Sequence, residues 1–380
     1  MRAEIKPGMV RWARERAGLH PGVLARRFPK LDAWERGAAF PTLKQVEEFA
    51  KATHTPVGFL FLPEPPEERV PIPDFRTFAG AQLERPSPGL LDTIYLCQQR
   101  QEWYREFAST EGQAPLAFVG SASLESGIEE TAAKIGAALR FDVEERAQIP
   151  TWTEALRLFI AKADELGVLV MVSGVVGSNN RHKLDPDEFR GFALCDWFAP
   201  LVFINGADSK AAQMFSLAHE LAHIWLGQSA VSDAQASAAP DHRVERWCNR
   251  VAAELLVPLA ALRAEYHASA DPGEEAGRLA RRFKVSTLVV LRRIHDAGGL
   301  PTERFWDAYR AEAARIAALP KGSGGDFYLT LGARASKRFG RALVASALEG
   351  RSPFTEAFRL LGFRKMGTFH ELAQSLGVGF

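Results

Sequence analysis

A chain of 380 residues is long enough for two or three domains, and its 47% hydrophobic content can supply their cores. Its 47 basic and 46 acidic side chains balance, which excludes a generic polyanion binder. Three scattered cysteines, Cys97, Cys195 and Cys248, form no C-x-x-C pair, so a disulfide framework is excluded and a reducing cytoplasm is expected. There is no apolar run of about twenty residues, so neither a signal peptide nor a membrane span is expected.

Residues 1–62 read as a compact helical unit. Pro7 to Ala17 forms a first helix stopped by Gly18, and Pro21 to Phe28 a second. Pro29 to Gly37 is a short third. A fourth starts at Pro41-Thr42-Leu43 and runs to about Thr53, before a last apolar turn after Pro56. The stretches Leu24-Ala25, Trp34-Glu35-x-Gly37 and Pro41-Thr42-Leu43 resemble an XRE-type helix-turn-helix. Eleven basic against six acidic residues give this unit a modest positive excess, compatible with phosphate contacts. Its candidate recognition helix is short and offers few side chains that could reach base edges, chiefly Lys30, Asp32 and Arg36. Operator DNA binding competes here with a degenerate module that binds protein or dimerises.

Residues 63–87 are a stiff, proline-rich linker. A helical connecting region follows over 88–150, with a long helix from Pro88 to Thr110 and another from about Ser126 to Leu139. A third region spans 151–300. It opens with a helix around Ala155 to Ala163, stopped near Gly167. Val168–Val172, Gly191–Leu194 and Leu201–Ile204 are short apolar strands, and the edge of such a sheet is a place for an extended peptide.

The richest stretch is the next helix. Ser209 is a fair N-cap and Gly227 a fair stop, and the helix between them is apolar nearly all round. Only His219, Glu220 and His223 interrupt its second half. Residues four apart share a helix face, so both imidazoles can point at one ion while Glu220 reaches a water on it. This is the His-Glu-x-x-His arrangement of zinc hydrolases. A third ligand should come from the following helix, where Glu245 is the best placed, and Asn249 lies on the same face to orient a ligand. His242 and Cys248 compete with Glu245, the first from a loop or first turn and the second from an apolar face.

With His219-Glu220-Leu221-Ala222-His223 and Glu245-Arg246-Trp247-Cys248-Asn249 in hand, roughly residues 155–300 resemble the ImmA/IrrE family of metallopeptidases. Asp187 to Ala193 and Ala199 to Asn205 resemble that family's strands. The resemblance implies one zinc ion held by His219, His223 and Glu245, with Glu220 as catalytic base. It also implies a protein substrate such as a transcriptional repressor or a toxin-antitoxin partner, cleaved after stress or another signal. The donor set does not exclude manganese or iron. The competing reading is a non-proteolytic XRE-family regulator or antitoxin whose metal site is structural or sensory. Arg181, His182, Arg190, His242, Tyr266 and His267 are candidates for an oxyanion donor, and none stands out.

Arg278 to Ile294 resembles a second helix-turn-helix pattern, with Val285-Ser286 at the turn, and is expected to pack on the peptidase core. Lys321 to Asp326 reads as a Gly/Ser hinge, and residues 301–380 as a helical domain for regulation, a lid or homodimerisation. The expected fold is mainly α and multidomain. It comprises a helix-turn-helix bundle, a central α+β zincin-like metallopeptidase domain with a small sheet, and a C-terminal helical domain.

Overall fold

The computed structural model describes residues 2–75, 85–232, 243–318 and 334–379. The proposed hinge at Lys321 to Asp326, the competitor His242 and part of the proline-rich linker lie outside these described residues. The fold is mainly helical with one four-stranded mixed sheet, as the sequence predicts. It clusters into two units, and no described helix is long and apolar enough to cross a membrane.

The first unit holds the described residues up to Pro71, with 85–95 and 179–183. Its helices are α1 (Pro7–Arg16), α2 (Pro21–Ala25), α3 (Leu31–Glu35) and α4 (Leu43–Ala52), followed by a 3-10 turn at Val57–Phe61. Pro7 and Pro21 start their helices where a missing N–H costs nothing. Thr42 and Gln45 close a reciprocal capping box on α4. α2 is shorter than predicted. Phe28 precedes Pro29, whose ring disfavours helical backbone on the residue before it. Trp12, Phe28, Trp34 and Phe49 form the core, with Phe28 and Phe49 edge to face at 5.5 Å.

The second unit holds residues 72–75, 96–178 and the described chain from Leu184 onwards. α5 (Pro88–Thr110) contributes its residues from Leu96. α6 (Ile128–Leu139), α7 (Val143–Ala147) and α8 (Trp152–Leu166) lead into β1 (Leu169–Ser173), β2 (Gly191–Leu194) and β3 (Leu201–Asn205). Then come α9 (Lys210–Leu226), β4 (Ala230–Ser232), α10 (Arg243–Leu256) and α11 (Leu259–Glu265). The order in the sheet is β1-β3-β2-β4, with β1 parallel to β3 and the other pairs antiparallel. β1 and β3 are buried along their whole length, which is why they read as unbroken apolar runs.

α9 packs against β2, β3, α8 and α10. Every residue from Gln213 to Leu226 is buried, so a helix apolar nearly all round is what this position requires. Ser209 accepts from the Ala212 N–H at its start, and Gly227 ends it in left-handed backbone at φ 68°.

α12 (Pro272–Phe283) and α13 (Thr287–Asp296) carry the second helix-turn-helix pattern. Leu279, Phe283, Val290 and Ile294 bury in the same core as α9, as expected. Three of their arginines pair within the unit: Arg278 with Glu275, Arg282 with Glu265, and Arg293 with Glu254. α14 (Thr302–Ala317), α15 (Lys337–Leu348), α16 (Phe354–Leu361) and α17 (Met366–Ser375) complete the unit. The buried guanidinium of Arg100 on α5 donates to the carbonyls of Leu360 at 2.9 Å and Arg334 at 2.7 Å. The Asp164 carboxylate on α8 accepts from Ser336 and from the Arg338 N–H.

Candidate metal centre

The polar residues of α9 meet the first turn of α10. His219 Nε2 lies 3.1 Å from Glu245 Oε2, and His223 Nε2 lies 3.0 Å from Glu245 Oε1. The two Nε2 atoms are 3.1 Å apart. All three side chains are buried, and their ligand atoms fall within 4.8 Å of one another. Asn249, one turn after Glu245, places Oδ1 3.0 Å from His219 Nδ1. With that oxygen accepting, Nδ1 carries the ring proton and Nε2 turns its lone pair inward.

With the His223 Nε2 lone pair turned inward as well, two imidazoles and a carboxylate facing one another at this range would repel unless a cation or a shared proton sat between them. Glu245 Oε1 faces His223 Nε2 at 3.0 Å without a hydrogen bond of good geometry, which leaves a buried acceptor for an ion to satisfy. The donor set and the orphaned oxygen therefore fit a divalent transition metal.

Electrostatics separates the carboxyls. Burial alone would raise Glu245, yet the imidazoles of His219 and His223 hold it well below the usual carboxylate range. Burial pushes Glu220 up to about 8. Burial opposes a proton on His219, but the Glu245 carboxylate raises its pKa; at His223 burial prevails and lowers it.

Glu220 sits one step round from the histidines and is fully buried. The Ser232 hydroxyl donates to its Oε2 at 3.4 Å and lies 3.5 Å from His223 Nε2. Gly191 makes room for the carboxylate. A Cβ there would lie 2.9 Å from Glu220 Oε1 and 2.9 Å from the Phe203 carbonyl. Sequence reasoning assigned neither residue a part. Gly191 carried a signal, since glycine inside an apolar strand marks a close approach. Ser232 carried none, because β4 is only three residues long and too short to show alternation.

The other predicted residues lie elsewhere. Cys248 is buried in the hydrophobic core with its pKa raised well above the ordinary thiol value, and it is not part of the cluster. Among the oxyanion candidates, Arg190 pairs with Asp208 at 2.8 Å, the Tyr266 hydroxyl donates to the Gly299 carbonyl, and His267 faces Glu275. Arg181 and His182 belong to the first unit, where His182 stacks on His54 with ring centroids 3.6 Å apart. On α3, Asp32 and Arg36 form an exposed ion pair with each other, and Lys30 caps the helix without a side-chain bond.

Known families account for part of this chain. Residues 163–295 match the IrrE N-terminal-like domain, a peptidase family. That span contains β1 to β3, α9, α10 and the whole His/His/Glu cluster. A domain of unknown function matches residues 335–375. No curated protein and no solved structure matches the chain.

Proposed function

We propose that the IrrE-like domain is a zinc-dependent metalloendopeptidase that acts on a protein partner, a repressor or toxin-antitoxin component, in response to a signal. The observation that carries this reading is the buried Glu220 carboxylate beside the converging side chains of His219, His223 and Glu245. His219, His223 and Glu245 would hold the ion, and three protein ligands would leave it open to a water. When bound, the ion supplies a Lewis acid that lowers the pKa of an attacking water.

Glu220 takes the proton of that water and later returns it to the leaving amine. Oε1, which has no hydrogen-bond partner among the described residues, is the atom left for this transfer, while Ser232 steadies Oε2. A bound cation would favour the charged form of Glu220, the form that works as a base. A purely structural metal site does not require that carboxylate, which favours hydrolysis over a sensory or structural ion.

Glu220→Gln is expected to retain zinc and lose cleavage by about 10²–10⁴-fold. Metal analysis, together with proteomics of cells expressing the native chain or this variant, reads both quantities and identifies the substrate. Persistent turnover by the variant would refute Glu220 as the base.

A further inference from the structure

The sheet edge nearest the metal centre is already taken. β4 pairs through one side with β2, and its other side faces residues 73–75 of the chain itself. Val231 donates its N–H to the Pro73 carbonyl at 2.9 Å and accepts from the Phe75 N–H at 3.0 Å, with Asp74 opposite in parallel register. This is how an extended ligand adds itself to an open strand. The Phe75 ring stacks on the His223 ring, with centroids 6.4 Å apart and planes at 21°. Ser232, the residue after Val231, contacts both Glu220 and His223. The added strand therefore runs where a peptide must run to bring a carbonyl to the base.

Its ladder on β4 is short. Proline brings no N–H, so Pro73 cannot extend the ladder backwards along β4. Backbone hydrogen bonds to Val231 and the half-buried Phe75 ring, which packs against the core, hold the described part of the segment. A free peptide in the same register makes the same backbone bonds.

We infer that the Val231 edge of β4 is a docking site for an extended peptide bearing an aromatic side chain, and that Ile72–Phe75 occupies it as an internal stand-in. This rests on the peptidase reading for its purpose, and the substrate class follows from it. The cleaved partner presents an unfolded segment with an aromatic residue where Phe75 now sits, and binding requires the resident strand to leave. Occupancy by the resident strand lowers the apparent affinity for any competitor by the fraction of time the edge is open.

The test uses the full zinc-loaded chain in the Glu220→Gln background, so that peptide is not consumed. A fluorescent peptide of sequence Val70 to Phe75 is titrated by anisotropy against this chain and against the same chain carrying Phe75→Pro. That substitution removes both the ring and the N–H donor. The expected result is at least about tenfold tighter binding to the Phe75→Pro chain. A peptide with alanine in place of its phenylalanine should lose about tenfold. Phe75→Ala, which keeps the backbone donor, should fall between the two chains and covers the case in which Phe75→Pro fails to fold. Equal affinities for all chains, or binding by none, overturns the proposal. Hydrolysis is scored separately with Glu220 intact. Release of the edge without any cleavage would remove the peptidase reading and leave the docking site standing, whereas cleavage without differential binding would do the reverse.

Discussion

Two helical segments offered polar side chains at functional spacing, and the structure treats them in opposite ways. On α9 and α10, His219, His223 and Glu245 are buried and converge on one point. On α3, Asp32 and Arg36 stand 79% and 66% exposed and neutralise each other. Burial makes the difference. Desolvating two imidazoles and a carboxylate is costly unless a cation or proton is shared among them, so their convergence demands an explanation. An exposed ion pair costs almost nothing and demands none. α12 and α13 repeat the lesson, since Arg278, Arg282 and Arg293 in their helix-turn-helix pattern are spent on Glu275, Glu265 and Glu254.

The sharpest way to break this contrast is at Asn249. If its Oδ1 sets the His219 tautomer, Asn249→Ala should lower metal affinity by about 10–100-fold while the fold persists. Competition against a chromophoric chelator measures this. Unchanged affinity would mean that the hydrogen bond at 3.0 Å does not orient the ring, and that burial alone is a poor guide to which polar groups matter.

Much of the site was legible because a helix converts spacing into direction. His219 and His223, four apart on an otherwise apolar helix, had to share a face, and Ser209 and Gly227 marked the ends of that helix. The long helix Pro88–Thr110 and the strand Gly191–Leu194 were also readable, from a proline start and from an apolar run between turn signals. β4, α7 and α11 were not. They are three, five and seven residues long, too short for a period to repeat. Pairing across the sheet was out of reach as well. Nothing local in Ile72-Pro73-Asp74-Phe75 says that it will lie on Val231, because that contact is made by residues more than 150 positions away.

Gly191 sharpens the comparison at the level of packing. Its would-be Cβ meets the Glu220 carboxylate and the Phe203 carbonyl, and the second cannot move without opening the β2–β3 ladder. Gly191→Ala is therefore expected to destabilise the second unit by about 1–3 kcal/mol, read from urea unfolding. A change within about 0.5 kcal/mol would show that the site yields easily, and that Glu220 is held less firmly than its burial implies.

The smallest effect is expected on α3. Asp32 and Arg36 are four apart with the acid nearer the N-terminus, the favourable order on a helix, yet both are open to water and salt. Arg36→Ala should change the stability of the first unit by no more than about 0.5 kcal/mol, and Asp32→Ala should do the same. If the pair were instead part of the unit's framework, either substitution would cost about 1 kcal/mol or more in a urea titration. That outcome would place α3 beside α9 as a helix whose charged residues are held for a purpose, and the distinction drawn from burial would no longer separate the two.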